Sequence, residues 1–168
     1  MRTVEHGTNI EITGDHANAL ASLLLAAVIF WIYIAFAQLL IVWIGNEPRE
    51  ISWYLPRFGP GWAWLGITLI VGHFLIPFLL LLQHSIKRSP VALGRVGAWL
   101  LVMHYLDAYW LVMPQVHPEG VRPHWLDAAA LALVGGAATA AAVWARGTSA
   151  PVPIRDPALP LSVHYQEP

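Results

Sequence analysis

Within the apolar run LLVMHYLDAYWLVMP, residues 100–114, lie a histidine and an aspartate, His104 and Asp107. At a spacing of i, i+3 they are neighbours on one face of a helix. Histidine changes charge near neutral pH and a carboxylate beside it favours the charged form, so such a pair can take up and release a proton. Two more groups of this kind interrupt apolar stretches: His73 in GHFLIPFLLLL and Gln38 in FAQLLIV. At a rise of about 1.5 Å per residue, His73 and His104 fall near the middle of their stretches. Asp107 lies about one turn away, with Gln38 at a similar level.

Polar groups in apolar surroundings are costly to desolvate, which makes each a candidate functional residue. Three kinds of chemistry fit them. Neutral His and Asp side chains can act as hydrogen-bonding glue between helices. The same groups can relay protons or edge a quinone pocket. Finally, His73 and His104, on adjacent antiparallel helices at matched depth, can be axial ligands of a b-type haem. Pro77, four residues after His73, cannot donate a backbone hydrogen bond and opens the helix there. Spacing alone leaves all three open.

The elements that position these residues follow from composition. Of 168 residues, 57% are hydrophobic and only 11% charged. That is too little polar surface for a soluble domain of this size, and it indicates an integral membrane protein. A formal net charge of −1 gives no electrostatic basis for binding nucleic acid. With no cysteine, disulfides, thiolate zinc sites, cysteine-ligated iron–sulfur clusters and c-type haem attachment are excluded within this chain. Any metal or haem would rest on histidine, methionine or carboxylates.

Four stretches reach the roughly 20 residues needed to cross a hydrocarbon core of about 30 Å: residues 19–44, 62–82, 91–113 and 125–144. The expected fold is therefore all-α, an integral membrane four-helix bundle over residues 18–145. A polar segment, residues 1–17, precedes it, and a proline-rich tail, residues 146–168, follows. The polar N-terminus does not resemble a signal peptide. With four crossings, the N-terminal segment, the 83–90 connection and the tail share a side. They carry Arg2, Lys87, Arg88, Arg146 and Arg155, with Arg95 able to snorkel towards them, against Arg49, Arg57 and Arg122 opposite. The positive-inside rule then places both termini in the cytoplasm.

Trp43, Trp53, Trp62, Trp64, Trp110 and Trp125 fall near the outer ends of the spans, as an interfacial belt would. In the first outer loop, NEPREISWYLPRFGPG, Asn46 is placed to cap a short helix lying in the interface, with Glu47 and Glu50 near its N-terminus. An ordered anchoring loop is the simpler reading. Asp127 opens the fourth span, which is built of small residues, with Gly135, Gly136 and Ala140 at a spacing that lets helices approach closely. The tail, with Pro151, Pro153, Pro157, Pro160 and Pro168, is expected to be irregular and to lie on a partner.

Several blocks, in order, resemble the ActF membrane subunit of bacterial alternative complex III. They are FWIYIAFAQLLIVWIGNEPREISWYLPR, GHFLIPFLLLL, LLVMHYLDAYWLVMP and RDPALPLSVHY, and they extend from about Asp15 to the end. That family is related to NrfD and polysulfide-reductase membrane subunits. The resemblance implies the C-terminal one of two four-helix bundles, as a fragment, a split subunit or a reduced paralogue. It implies a multi-pass subunit of a respiratory quinol:electron-acceptor (cytochrome c-type) oxidoreductase in the bacterial inner membrane. Such a subunit would be non-catalytic, with no redox centre of its own. Haem and iron–sulfur clusters would sit in partner iron–sulfur and cytochrome c subunits, beside other membrane subunits, with quinol nearby. The chain would anchor or assemble the complex, and Gln38, His73, His104 and Asp107 would serve proton transfer or line a quinone pocket. No catalytic residue or metal ligand is assigned. The rival readings are a small b-type cytochrome with haem held by His73 and His104, and a purely structural assembly subunit.

Overall fold

The computed structural model describes residues 14–147. Every regular element among them is helical. In chain order these are α1 (Gly14–Gly45), α2 (Pro48–Phe58), α3 (Ala63–Leu69), a π turn (Ile70–Leu75), α4 (Ile76–Leu81), α5 (His84–Lys87), α6 (Pro90–Val116) and α7 (Trp125–Arg146). The α3, π and α4 segments form one continuous span, Ala63–Leu81. With α1, α6 and α7 it makes four helices long and apolar enough to cross a membrane. The chain is an all-α, multi-pass membrane protein. The proline-rich tail lies outside the described residues, as do the first 13 residues.

The described chain divides into two units, one reaching to Val121 and the other beginning at Arg122. In the first, α1 runs parallel to α6 and antiparallel to the 63–81 span. At one end Arg88 meets Asp15 at 2.9 Å; midway, Trp31 touches both His73 and Asp107. Lipid solvates apolar faces as well as a protein core does, so helix association here rests on close packing and hydrogen bonds. Ala17 and Ala21 are small and fully covered on α1. Around Ala21 gather Val28, Leu81, Val96 and Leu100. The outward faces carry Leu23, Tyr33, Ile41 and Leu101, all well exposed. Such a surface is unremarkable in a bilayer, where the helical backbone satisfies its own polar groups.

Two local expectations are corrected. Asn46 does not cap the helix that follows it; it closes the one before, adopting a left-handed φ of 48° while its N–H donates to the Val42 carbonyl at 3.1 Å. The residue preceding a proline is biased to extended backbone. Glu47, before Pro48, is accordingly the N-cap of α2, with φ −81° and ψ 118° and no side-chain cap bond. Trp62, expected in the interfacial belt, is instead fully buried, and its indole donates to the His117 carbonyl at 2.8 Å. Trp43 and Trp64 are exposed as expected.

In the second unit, α7 begins with a reciprocal capping box. The His124 N–H donates to Asp127 Oδ2 at 2.8 Å, and the Leu126 N–H donates to His124 Nδ1 at 3.3 Å. Asp127 therefore has a local structural role. Gly135 and Gly136 lie on an exposed helix, and the Gly135 carbonyl accepts from Thr139 Oγ1 at 2.7 Å.

Candidate functional site

The site is built around the π turn. In this turn bonding widens to i→i+5, and the Ile76 N–H donates to the Val71 carbonyl. The same rule would have residue 77 donate to the Gly72 carbonyl, but Pro77 has no N–H. The missing donor comes from α6: Trp99 Nε1 reaches the Gly72 carbonyl at 2.8 Å. Gly72 is the residue that leaves room for this. A Cβ there would meet Met103 Sδ at 2.8 Å and the Trp99 ring at 3.6 Å. Turns of this kind are frequent at functional sites in helices, and this one carries His73.

His73 is almost wholly buried. Its Nε2 lies 3.4 Å from His104 Nδ1 on α6, with the rings edge to face and their centroids 5.2 Å apart. Trp31 from α1 stacks on His73 at a centroid distance of 4.1 Å. The same indole donates to Asp107 Oδ2 at 3.0 Å. Three helices thus contribute one connected cluster: His104 to His73, His73 to Trp31, Trp31 to Asp107. His73 Nδ1 is buried without a hydrogen-bond partner among the described residues. An orphaned buried donor is rarer than an under-used acceptor. The less costly neutral tautomer therefore keeps the His73 proton on Nε2, donating to His104 Nδ1, and leaves Nδ1 bare. His104, by contrast, is exposed. The arrangement joins an exposed imidazole to a buried one through a single hydrogen bond.

Of the residues singled out from the sequence, the structure brings together His73, His104 and Asp107. Gln38 stays outside. It is exposed and lies seven residues beyond Trp31 on α1, about 10 Å along the axis. Asp107 takes its hydrogen bond from the mid-depth Trp31 because an indole is long enough to reach about one turn along a neighbouring helix. Sequence reasoning missed Trp31 and Trp99 by counting only ionisable and amide groups as polar. The available signal was an indole near the middle of a span, away from the interfaces where tryptophan usually collects.

A second polar centre, also unforeseen, lies at the α2 end of the first unit. Arg57, counted from sequence as a loop charge, is fully buried. Its guanidinium sits 3.3 Å from the centre of the Trp53 ring, one helical turn earlier. It donates to the Trp53 carbonyl and, across to α6, to the Leu111 carbonyl at 2.5 Å. Burial pushes the Arg57 pKa down. Burial also raises the neighbouring Tyr54 phenol, outweighing the lowering effect of the Arg57 charge. The i, i+4 spacing of Trp53 and Arg57 was the sequence signal. This centre ties α2 to α6 rather than presenting reactive groups.

For haem chemistry, the relevant geometry is that the two imidazoles touch. Axial ligation by both would require parting rings that share a hydrogen bond. As they stand, their nitrogens are placed to share a proton. No group of three or more His, Asp or Glu side chains positioned to hold a metal ion occurs among the described residues. Comparison of the chain with models of known protein families and with curated proteins finds no match.

Proposed function

We propose that the chain is a membrane-embedded, non-catalytic subunit of a quinol-oxidising respiratory complex, in which His104, His73 and Asp107 handle protons inside the membrane. The observation that carries the proton-handling reading is the His73–His104 contact, in which two imidazole nitrogens are placed to share a proton; Trp31 holds the Asp107 carboxylate beside it. The quinol context rests on the resemblance of four sequence blocks to ActF-type subunits. On the same basis the electron path runs through iron–sulfur and cytochrome c partners in a bacterial inner membrane, and the loop charges put both termini in the cytoplasm.

Purification of the native complex in mild detergent tests the reading. The chain should come away with iron–sulfur and cytochrome subunits, and a partnerless monomer would overturn the subunit assignment. In the assembled complex, Asp107→Asn should slow quinol turnover at least several-fold, since general acid–base groups typically contribute about 100-fold or more. Turnover per complex equal to wild type would reduce the cluster to helix packing.

A further inference from the structure

The π turn raises a question that the proton-handling reading leaves open: what holds His73 facing His104? A wide turn is a poor fixture in itself, because its bonding can slip back to the tighter i→i+4 pattern. Here the slip is opposed by Pro77, whose ring would meet the His73 carbonyl in the tighter register, and by one side chain of α6. The Ile76 N–H is committed to Val71, and Pro77 offers no N–H. The Gly72 carbonyl therefore has no backbone donor in the π register. In the membrane interior an unpaired carbonyl is costly, with no water to satisfy it. Were the turn to tighten, Ile76 would transfer its N–H to Gly72, and residues before and after would rotate relative to one another. His73 lies at the point of that rotation.

We propose that Trp99 is a positioning residue for His73. Its indole N–H takes the place of the backbone donor absent at Pro77, bonding the Gly72 carbonyl at 2.8 Å and so locking the π register that points His73 at His104. The inference deepens the proton-handling reading and rests on it for its functional meaning. The structural relation stands on the geometry alone. Trp99 is well suited to the task. It lies five residues before His104 on the same helix, so one rigid element carries both the clamp and the partner histidine. Its ring also packs beside the space left open by the missing Gly72 side chain. Met103, buried one residue before His104, closes the other side of that space.

The test uses the full chain in detergent micelles, labelled with nitrogen-15 in its histidines. The readout is the ring N–H resonance shared by His73 and His104, identified by its loss in His104→Ala. Trp99→Phe keeps an aromatic ring but removes the donor, and the shared resonance should disappear. With carbon-13 at the Gly72 carbonyl, its resonance should also move upfield in Trp99→Phe as the carbonyl loses its donor. A shared resonance that survives Trp99→Phe, or a Gly72 carbonyl that does not move, would overturn the proposal. If Trp99→Phe does not fold, the wild-type chain decides: a cross-peak between the Trp99 indole proton and the Gly72 α-protons supports the bond, and its absence counts against it. This measurement needs no quinol turnover, so its failure is distinct from failure of the functional reading, which the turnover of Asp107→Asn decides.

Discussion

The Trp31 indole does two jobs at once: it lies flat on His73 at 4.1 Å between centroids and donates to the Asp107 carboxylate at 3.0 Å. One side chain of α1 thereby joins a group on the π turn to a group on α6. Replacing it with phenylalanine separates the jobs, because stacking remains and the donor goes. Trp31→Phe should lower stability in mixed micelles by about 1 kcal/mol, the usual size of one interhelical hydrogen bond in lipid. Asp107→Ala in that background should then cost less than in the wild type, and a double-mutant cycle of unfolding midpoints measures the difference. Additive costs would mean that the two residues do not act together.

Arg57 should prove a structural linchpin of α2. Its guanidinium serves two carbonyls and covers the Trp53 ring. Arg57→Met should destabilise the chain by about 2 kcal/mol, as expected for lost hydrogen bonds from a charged donor. Arg57→Lys should recover only part of this, because an ammonium lacks the planar fork that reaches two acceptors. Limited proteolysis between α1 and α3, read beside the unfolding midpoint, would show whether α2 is what comes loose. Equal stability of all three proteins would refute the role.

The pH dependence of stability should carry a mark of Tyr54. Its phenol is raised above the ordinary value by burial, so the folded chain holds that proton more tightly than the unfolded chain, where tyrosine titrates at about 10. The contribution is intact below about pH 10 and is lost as pH rises from there through the folded-state value. Tyr54→Phe should lessen the alkaline fall in unfolding midpoint and leave its value at neutral pH nearly unchanged. Parallel curves for the two proteins would contradict this.

Two glycines should respond in opposite senses. A side chain on Gly61 would run into the Glu119 carbonyl and come within 2.7 Å of Gly120 Cα. Backbone cannot step aside as a side-chain tip can, so Gly61→Ala should cost about 1–3 kcal/mol. Within α6, a Cβ on Gly97 would have no heavy atom within 4 Å. Gly97→Ala should therefore stabilise the isolated chain by up to about 1 kcal/mol, the helix preference of alanine over glycine. Thermal unfolding in a fixed detergent reads both.

The spans were legible because hydropathy over about 20 residues is a property of the chain alone. Helix ends were less so. The capping role went to Glu47 instead of Asn46 because Pro48 constrains the residue before it, a local rule that outranks side-chain capping preference. Of the site, the two histidines and Asp107 could be named from their placement in apolar runs, but their links could not. Trp31 and Trp99 act through indole N–H groups, and nothing in a single sequence tells a hydrogen-bonded indole from a lipid-facing one. Arg57 reads as a solvated loop charge until α2 is folded against α6. The π turn itself arises from tertiary contact: Pro77 makes the gap, and only a partner helix can fill it.

That turn also explains a regularity in what the 63–81 span buries. Leu65, Leu69, His73, Pro77 and Leu81 are all buried, at a strict spacing of four residues. On an ordinary α-helix each such step overshoots a full turn by about 40°, and four steps would wind the stripe nearly halfway around the axis. The wider turn at residues 70–75, with more residues per turn, takes up part of that excess. In the terms of sequence alignment, the π turn amounts to a one-residue insertion. A relative with an uninterrupted α-helix here would align with a gap between Leu69 and Pro77.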